Sequence, residues 1–139
     1  MENGQLTLDQ KKKEILQKAK TIAVVGISDK PHRASYGVAK YLQDRGYRII
    51  PVNPRLESVL GEKAYPDLKS IPFPVDIVDV FRKEEDLPEV INEAVALGLE
   101  TIWLQLGLNC PPGMEFAKEP PKVLFEDCCL KIDHGRLIG

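Results

Sequence analysis

Residues 21–42 have the sequence "TIAVVGISDKPHRASYGVAKYL", which changes character at one glycine. The run "TIAVV" at 21–25 is continuous and β-branched, a pattern typical of a strand covered on both faces. Gly26 ends the run, and a helix is predicted from about Ser35 to Arg45, with Gly46 in the position of a C-terminal glycine. The order strand, loop, helix indicates one unit of an α/β layer structure.

Four more strand patterns follow this unit, at 47–53, 75–81, 100–106 and 122–126. A helix is predicted over 84–98, and an N-terminal helix with a Thr7–Gln10 capping box is predicted to run to about Lys20 and to pack on the sheet. A short amphipathic tail follows the fifth strand, and turns with short helical pieces are expected over 54–74. Because parallel neighbours need crossover connections, this alternation predicts an α/β fold with a mostly parallel five-stranded sheet.

Composition limits the classes of function that the chain can serve. A length of 139 residues predicts a single domain (1–139). A net charge of −2 provides no general electrostatic field that would attract nucleic acid or an anionic membrane. The N-terminal residues lack the apolar core of a signal peptide, and no stretch is apolar enough to span a membrane. We therefore expect a cytoplasmic protein. Three cysteines without CxxC spacing indicate reduced thiols rather than a zinc or disulfide framework.

The turn after the first strand is the expected anion site, because ligands of open α/β sheets bind beyond the carboxyl ends of the strands. Helix N-terminal amides near Ser35 favour a phosphate against the loop that starts at Gly26. Lys30 and Arg33 offer cations to the same phosphate. Two alternatives stay open: Gly26 permits only a tight turn, and the two cations are solvated surface residues.

The loop does not match a dinucleotide fingerprint. Gly26, Ile27 and Ser28 lack the second glycine of G-x-G-x-x-G, and the next glycine is Gly37. The end of the second strand carries "PVNPR" at 51–55, with no acid to hold ribose hydroxyls. This favours a ligand with an additional ribose phosphate, coenzyme A (CoA) or NADP, over NAD. The alternative for the asparagine in this stretch is an Asx-turn to its own backbone.

The third and fourth strands are expected to end at the same crevice. Arg82 offers a further charge there, and Phe81 offers either a stacking surface for adenine or a core contact. Gln105, Gly107 and Asn109 offer amides or close backbone to a ligand.

Other residues that carry chemistry have plainer interpretations. Asp76 and Asp79 resemble a carboxylate pair but are expected to cap loops or lie at the sheet edge, since nothing completes a mechanism beside them. His32 is interpreted as a solvated loop residue, His134 as packing in the tail, and Trp103 as core. No catalytic residue and no metal site is assigned.

Two longer segments resemble a known family: "IAVVGISDKPHRASYGVAKYLQDRGYRIIPVNP" and "LGEKAYPDLKSIPFPVDIVDVFRKEEDLPEVINEAVALGLETIWLQLG". Between Lys20 and Asn109 the chain is similar to small single-domain CoA-binding proteins. These are themselves similar to the N-terminal CoA-binding domains of the succinyl-CoA synthetase α subunit and of ADP-forming acyl-CoA synthetases. The motifs "PVNP", "VDIVDVFR" and "WLQLG", in that order, carry the resemblance.

The resemblance implies a Rossmann-like, doubly wound sheet with helices on both faces, and CoA at the carboxyl ends of its strands. The positions that it implies for CoA binding are Gly26, Ile27, Ser28, Lys30, Arg33, Ser35, Asn53, Pro54, Arg55, Phe81, Arg82, Gln105 and Gly107.

Departures from the family pattern lie near the C-terminus. The segment "NCPPGMEFAKEPPK" at 109–122 allows at most a short helix between Gly113 and Lys118. Family members often have Asp-Arg-Cys where this chain has Asp127, Cys128 and Cys129. A Cys129 thiol near CoA would allow thiol exchange, and the alternative is a buried, inert thiol.

The resulting hypothesis is a module that binds CoA or an acyl-CoA without catalysis of its own, because the chemistry of the synthetases requires further domains. One alternative is a small NADP-dependent or acyl-CoA-handling enzyme. Another is a regulatory interaction protein, whose protein partner the sequence does not indicate.

Overall fold

A computed structural model of the protein describes residues 6–111, 113–114 and 120–139. The strands are β1 (Thr21–Val25), β2 (Arg48–Val52), β3 (Ser58–Val59), β4 (Glu62–Lys63), β5 (Ile77–Val80), β6 (Thr101–Leu104) and β7 (Val123–Phe125). The helices are α1 (Leu8–Lys18), α2 (Ala34–Asp44), α3 (Leu87–Ala96) and α4 (Leu130–Leu137), with 3-10 turns at Leu68–Ser70 and Glu84–Asp86. All five predicted strands are therefore present, shortened by up to two residues at an end.

The large sheet has the order β2-β1-β5-β6-β7, and all of its strand pairs are parallel. The chain begins in β1, moves outward to β2, and then crosses back to β5 on the other side of β1. This order reverses between β1 and β5, so the carboxyl ends of these two strands enclose the topological switch point. The predicted fold, an α/β Rossmann-like doubly wound sheet, is confirmed.

Helices cover both faces of this sheet. Leu16 of α1, Leu42 of α2 and Leu130 of α4 pack on one face in a cluster with Ile22 and Trp103. On the other face the buried side chains of α3 pack against alternate residues of β1, β5 and β6. Because both faces are covered, the strands contain continuous apolar runs instead of an alternating pattern.

The N-terminal helix packs as expected. Thr7 and Gln10 form a complete capping box at the start of α1. Farther along, the buried Lys12 ammonium lies 2.9 Å from the Asp133 carboxylate of α4. The indole N–H of Trp103 donates to the same carboxylate at 3.1 Å. A charged pair buried beside an indole ties both terminal helices to the sheet.

The interpretations of the tail and core residues are also confirmed. Trp103 is fully buried, and His134 is buried with its Nδ1 atom 3.0 Å from the hydroxyl of Tyr41. The side chain of Asp76 accepts the backbone N–H groups of Lys20 and Thr21 at 2.8 and 3.0 Å, so it caps the start of β1.

The expectation for Asp79 is wrong. Asp79 is fully buried in the middle of β5, where its register partners are Val24 and Trp103, and not at an edge or in a loop. Within the described part of the chain its carboxyl oxygens have no hydrogen-bond partner. Burial raises the pKa of Asp79 to about 8, because the charged form loses its hydration.

The long connection between β2 and β5 contains more order than its sequence predicts. Beside the expected 3-10 turn it holds the β3–β4 hairpin, in which Leu60 and Gly61 both have positive φ, +55° and +77°. The short helix expected between Gly113 and Lys118 falls mainly on residues 115–118, which lie outside the described residues. None of the described helices has the length and apolar character needed to cross a membrane.

Candidate ligand-binding site

The turn after β1 requires glycine for two reasons. Gly26 has a φ of +85°, in the left-handed region, and a Cβ atom there would overlap the carbonyl oxygen of Phe81. The Gly26 N–H donates to the Val52 carbonyl at 2.9 Å, and the Phe81 N–H donates to the Val25 carbonyl at 2.8 Å. Gly26 therefore permits the turn and also lets the end of β5 lie against it.

Hydrogen bonds fold the loop after Gly26 back onto the first turn of α2. The buried Ser35 hydroxyl accepts the Ser28 N–H at 2.9 Å, and the Ser28 hydroxyl accepts the Lys30 N–H at 3.0 Å. The Arg33 N–H then donates to the Lys30 carbonyl at 3.0 Å. These bonds engage the N–H groups of Ser28, Lys30 and Arg33, so these three amides are not free for a ligand.

Asn53 fixes the same loop from the end of β2. Its side-chain amide donates to the Ile27 carbonyl at 2.8 Å, while its side-chain oxygen accepts the Arg55 N–H at 2.9 Å. The second bond is the Asx-turn that the sequence left as an alternative. Asn53 thus joins the loop after β1 to the end of β2, and each end of its side-chain amide makes one hydrogen bond.

The N-terminus of α2 opens toward the switch point. Arg33 is the N-cap residue, and within the described part of the chain no side chain caps this end of the helix. Ala34 and Ser35, the first residues of the helix, line a cavity there. An uncapped N-terminus carries a partial positive charge and orients its N–H groups toward the space in front of it, which suits an anion.

Two adjacent cavities, of about 370 and 630 Å³, lie at the carboxyl ends of the strands and share Gly26, Arg33, Phe81 and Arg82. We call the two together the crevice. Predicted site residues that line only the smaller cavity are Ser28, Ser35, Gln105 and Gly107. Those that line only the larger one are Asn53, Pro54 and Arg55. Together with the four shared residues, eleven of the thirteen predicted positions therefore line this one crevice.

The other two predicted positions, together with Asn109, do not line either cavity. The Ile27 side chain is fully buried in the core, so only its main chain is available to a ligand. Lys30 is exposed in the loop and lines neither cavity.

The two sides of the crevice differ in charge. Arg33, Arg55, Arg82 and Lys83 line the larger cavity, together with two acids, and Arg82 lies 3.4 Å from one of them, Asp86. On the opposite side, residues 105–108 after β6 present only neutral groups. We call residues 105–108 the neutral wall.

Sequence reasoning missed several lining residues. Lys83 and Asp86 follow the third predicted strand, and Leu106 and Leu108 lie at and just after the end of the fourth. Their positions after strand ends are the signal that would have found them, because parallel strands bring those ends to one edge of the sheet.

The described cysteines do not line the crevice. Burial is the main cause that raises the pKa of Cys128 to about 11, and burial followed by the Glu126 carboxylate raises the pKa of Cys110 to about 11. Both thiols are therefore protonated near neutral pH and weakly nucleophilic. Across the described residues, no group of His, Cys, Asp and Glu side chains is placed to hold a metal ion.

Comparisons with known proteins agree with this geometry. A sequence model of the family described as "CoA binding domain" matches residues 20–135. The chain is 47% identical over 123 residues to the uncharacterized protein YneT of Bacillus subtilis, covering 88% of this chain and 91% of that protein. It is 34% identical over 82 residues to the acetate–CoA ligase (ADP-forming) II subunit alpha of Pyrococcus furiosus, covering 58% of this chain but 18% of the subunit.

Among solved structures, a hypothetical protein from Pyrococcus horikoshii superimposes with a TM-score of 0.89. It has 36% sequence identity, and the match covers all of both chains. Because the match covers both chains completely, it includes the two terminal helices as well as the sheet.

Proposed function

Because the chain belongs to the CoA binding domain family, we propose that it binds coenzyme A, or an acyl-CoA, in the crevice, without catalysing a reaction of its own. Related domains form part of ADP-forming acetate–CoA ligases, whose subunits are several times longer than this chain. We therefore propose that this chain shares CoA binding with those ligases but not their catalysis.

The observation that carries the proposal is the convergence of three arginines and a helix N-terminus on one crevice. Arg33, Arg55 and Arg82 line the larger cavity, and the uncapped start of α2 faces the smaller one. CoA carries a diphosphate and a ribose 3′-phosphate, and guanidinium groups pair with phosphate oxygens in a bidentate manner. The chain has a net charge of only −2, so this local excess of cations is not a property of the entire surface.

Each part of the ligand has a matching group in the proposed complex. The diphosphate accepts N–H groups of the first turn of α2 and the Arg33 guanidinium. Arg55, at the end of β2, pairs with the 3′-phosphate, and the partly buried Phe81 ring stacks on adenine. The neutral wall then receives the uncharged pantetheine arm, whose amides match the Gln105 side chain.

A binding role also fits the side chains that the crevice offers. Within the described residues, neither a thiol nor an imidazole lines either cavity. The carboxylates that line the larger cavity are Glu85 and Asp86, and Asp86 is paired with Arg82 at 3.4 Å.

Arg55 also supports the alternative ligand, NADP, since a 2′-phosphate on the ribose would meet the same guanidinium. The two ligands are distinguished by comparing thermal unfolding with CoA, acetyl-CoA, NADP and NAD at equal concentrations. A ligand at a hundred times its dissociation constant adds about 2.7 kcal/mol to the free energy of unfolding.

We expect the largest rise in melting temperature with CoA or acetyl-CoA and none with NAD. A larger rise with NADP would replace the proposal by its alternative, and no rise with any of the four would end it. Native mass spectrometry of the purified protein provides an independent reading, because a CoA that co-purifies adds its own mass to the intact chain.

A further inference from the structure

The segment that follows β7 is bonded to the neutral wall through Asp127. One carboxylate oxygen of Asp127 accepts the Gly107 N–H at 2.7 Å. The Asp127 N–H donates to the Leu108 carbonyl at 2.9 Å. The side chain and the main chain of one residue therefore hold two consecutive residues of the wall, and the first bond has the short length of a charge-assisted hydrogen bond.

The residues on either side of Asp127 hold the two ends of the same loop. Glu126 accepts the Cys110 N–H through its carboxylate at 2.6 Å. The Cys128 N–H donates to the carbonyl of Leu104, the last residue of β6, at 3.1 Å. The three residues 126–128 thus fix the chain from the end of β6 to Cys110.

Asp127 adopts an uncommon backbone conformation to make these bonds. Its φ is +52°, in the left-handed region, which aspartate and asparagine enter more easily than other residues with a Cβ atom. Gly107 also has a positive φ, of +87°. Both partners of the 2.7 Å hydrogen bond are therefore residues suited to the conformation they adopt.

Apart from these bonds, the neutral wall is anchored by Leu108, whose partly buried side chain packs against the core on the α3 face of the sheet. Leu106 is 52% exposed, so little packing fixes it from outside. The Gln105 N–H donates to the Val80 carbonyl at 3.3 Å, and the Leu108 N–H bonds within the loop, to the Gln105 carbonyl, at 2.9 Å. These contacts hold Gln105 and Leu108, but they do not by themselves fix the position of Gly107 between them.

We propose that Asp127 is a positioning residue that holds the neutral wall against the crevice, and that it thereby sets the affinity for the pantetheine arm of CoA but not for its phosphorylated adenosine. The inference rests on the proposed function for the identity of the ligand. It adds a residue that lines neither cavity and acts through Gly107.

The test compares two ligands that share the phosphorylated adenosine: CoA, and adenosine 3′,5′-bisphosphate, which has no pantetheine arm. In Asp127→Gly the carboxylate is lost while the positive φ is retained at no steric cost. We expect this variant to bind CoA about tenfold more weakly or worse, the usual effect of losing a hydrogen bond to a charged group. Its affinity for the bisphosphate should not change.

The conservative variant Asp127→Asn keeps a side-chain oxygen and tolerates the same φ, so we expect it to recover part of the CoA affinity. It also serves as the test should the glycine variant fail to fold. CoA affinity equal to that of the unchanged protein in both variants would overturn the proposal. Equal losses for CoA and the bisphosphate would also overturn it, because they indicate a general effect on the crevice.

Amide hydrogen exchange in the absence of ligand tests the anchoring separately. We expect faster exchange at Gly107 in Asp127→Gly, with unchanged exchange at Ile102 inside β6. If the unchanged protein binds neither ligand, the proposed function fails, and the exchange at Gly107 still decides whether Asp127 holds the wall. Unchanged exchange there would overturn this inference in either case.

Discussion

Gly26 and Phe81 are packed backbone to backbone, so that a Cβ atom on the glycine would overlap the carbonyl oxygen of the phenylalanine. The two residues follow β1 and β5, the strands between which the order of the sheet reverses. The floor of the crevice is therefore formed by main-chain atoms, and their close approach requires that residue 26 has no Cβ atom.

Replacing Gly26 by alanine should destabilise the protein by more than about 1 kcal/mol, because alanine is strained at positive φ. The overlap with the Phe81 carbonyl adds to this cost and should also weaken CoA binding. The free energy of unfolding from urea titration and the dissociation constant for CoA measure the two effects.

Gly37 provides the matched control, since it lies inside α2 and a Cβ atom there would meet no heavy atom within 4 Å. Gly37→Ala should stabilise the protein by about 0.5–1 kcal/mol, as expected for a helix interior. A destabilisation of equal size in both variants would contradict the role given to the contact with Phe81.

Arg55→Ala should remove the preference for a ligand with a 3′-phosphate. The unchanged protein is expected to bind CoA more tightly than dephospho-CoA, which lacks that group, by about tenfold if one charge-assisted pair is involved. In Arg55→Ala the two ligands should bind alike, as isothermal titration calorimetry can measure. If Arg55→Ala still preferred CoA over dephospho-CoA by the same factor, the 3′-phosphate would have to bind to a residue other than Arg55.

Arg33→Ala should weaken the binding of both CoA and dephospho-CoA, because Arg33 lines both cavities, where the diphosphate is proposed to bind. Lys20→Ala removes an exposed cation just before β1, at the opposite edge of the sheet, and should leave both affinities unchanged. Lys30→Ala tests the exposed loop, and we expect a smaller loss than for Arg33. Equal effects of Arg33→Ala and Lys20→Ala would indicate only a general charge effect.

Asp79 should make stability depend on pH. Its pKa is raised to about 8 in the folded chain, whereas an unfolded aspartate has a pKa of about 3.9. Between these values the folded state holds a proton that the unfolded state has released, so stability falls as pH rises from about 4 to about 8, by up to about 1.4 kcal/mol per pH unit.

Asp79→Asn cannot ionise, and the difference in unfolding free energy between this variant and the unchanged protein should grow with pH in the variant's favour. Urea titrations at several pH values between these two pKa values measure that difference, and the contributions of other titrating groups cancel in it. A difference that does not vary with pH would show that Asp79 is ionised and solvated in the folded chain.

Cys128 should react slowly with thiol reagents. Burial is the main reason that its pKa is raised to about 11, so in a Cys110→Ala/Cys129→Ser background its alkylation rate should still be rising at pH 10. An ordinary thiol, with a pKa of about 8.5, levels off below that pH. An alkylation rate that reaches its plateau near pH 8 would instead show that the Cys128 thiol ionises readily enough to exchange with other thiols.

The sequence predicts the sheet and most of the crevice because both follow from local signals. Continuous β-branched runs mark buried strands, and in a parallel sheet the residues after those runs must lie at one edge. Arg33, Arg55 and Arg82 could be grouped in this way without knowledge of any distance. The hairpin at Leu60 and Gly61 could not be predicted, because leucine is a poor signal for a turn with positive φ.

Asp79 and Asp127 could not be assigned from sequence for a different reason. Carboxylates are rarely buried without partners, so the sequence favours an edge or a loop for Asp79. Its burial depends on which helices cover β5. The partner of Asp127 is Gly107, twenty residues earlier. Their contact exists only because β7 pairs with β6.

The bonds from residues 126–128 to the loop after β6 also order events during biosynthesis. The Gly26 turn leaves the ribosome early, but the neutral wall lacks these bonds until the segment that follows β7 has emerged. Nascent chains stalled before residue 126 should therefore bind CoA more weakly than the released protein.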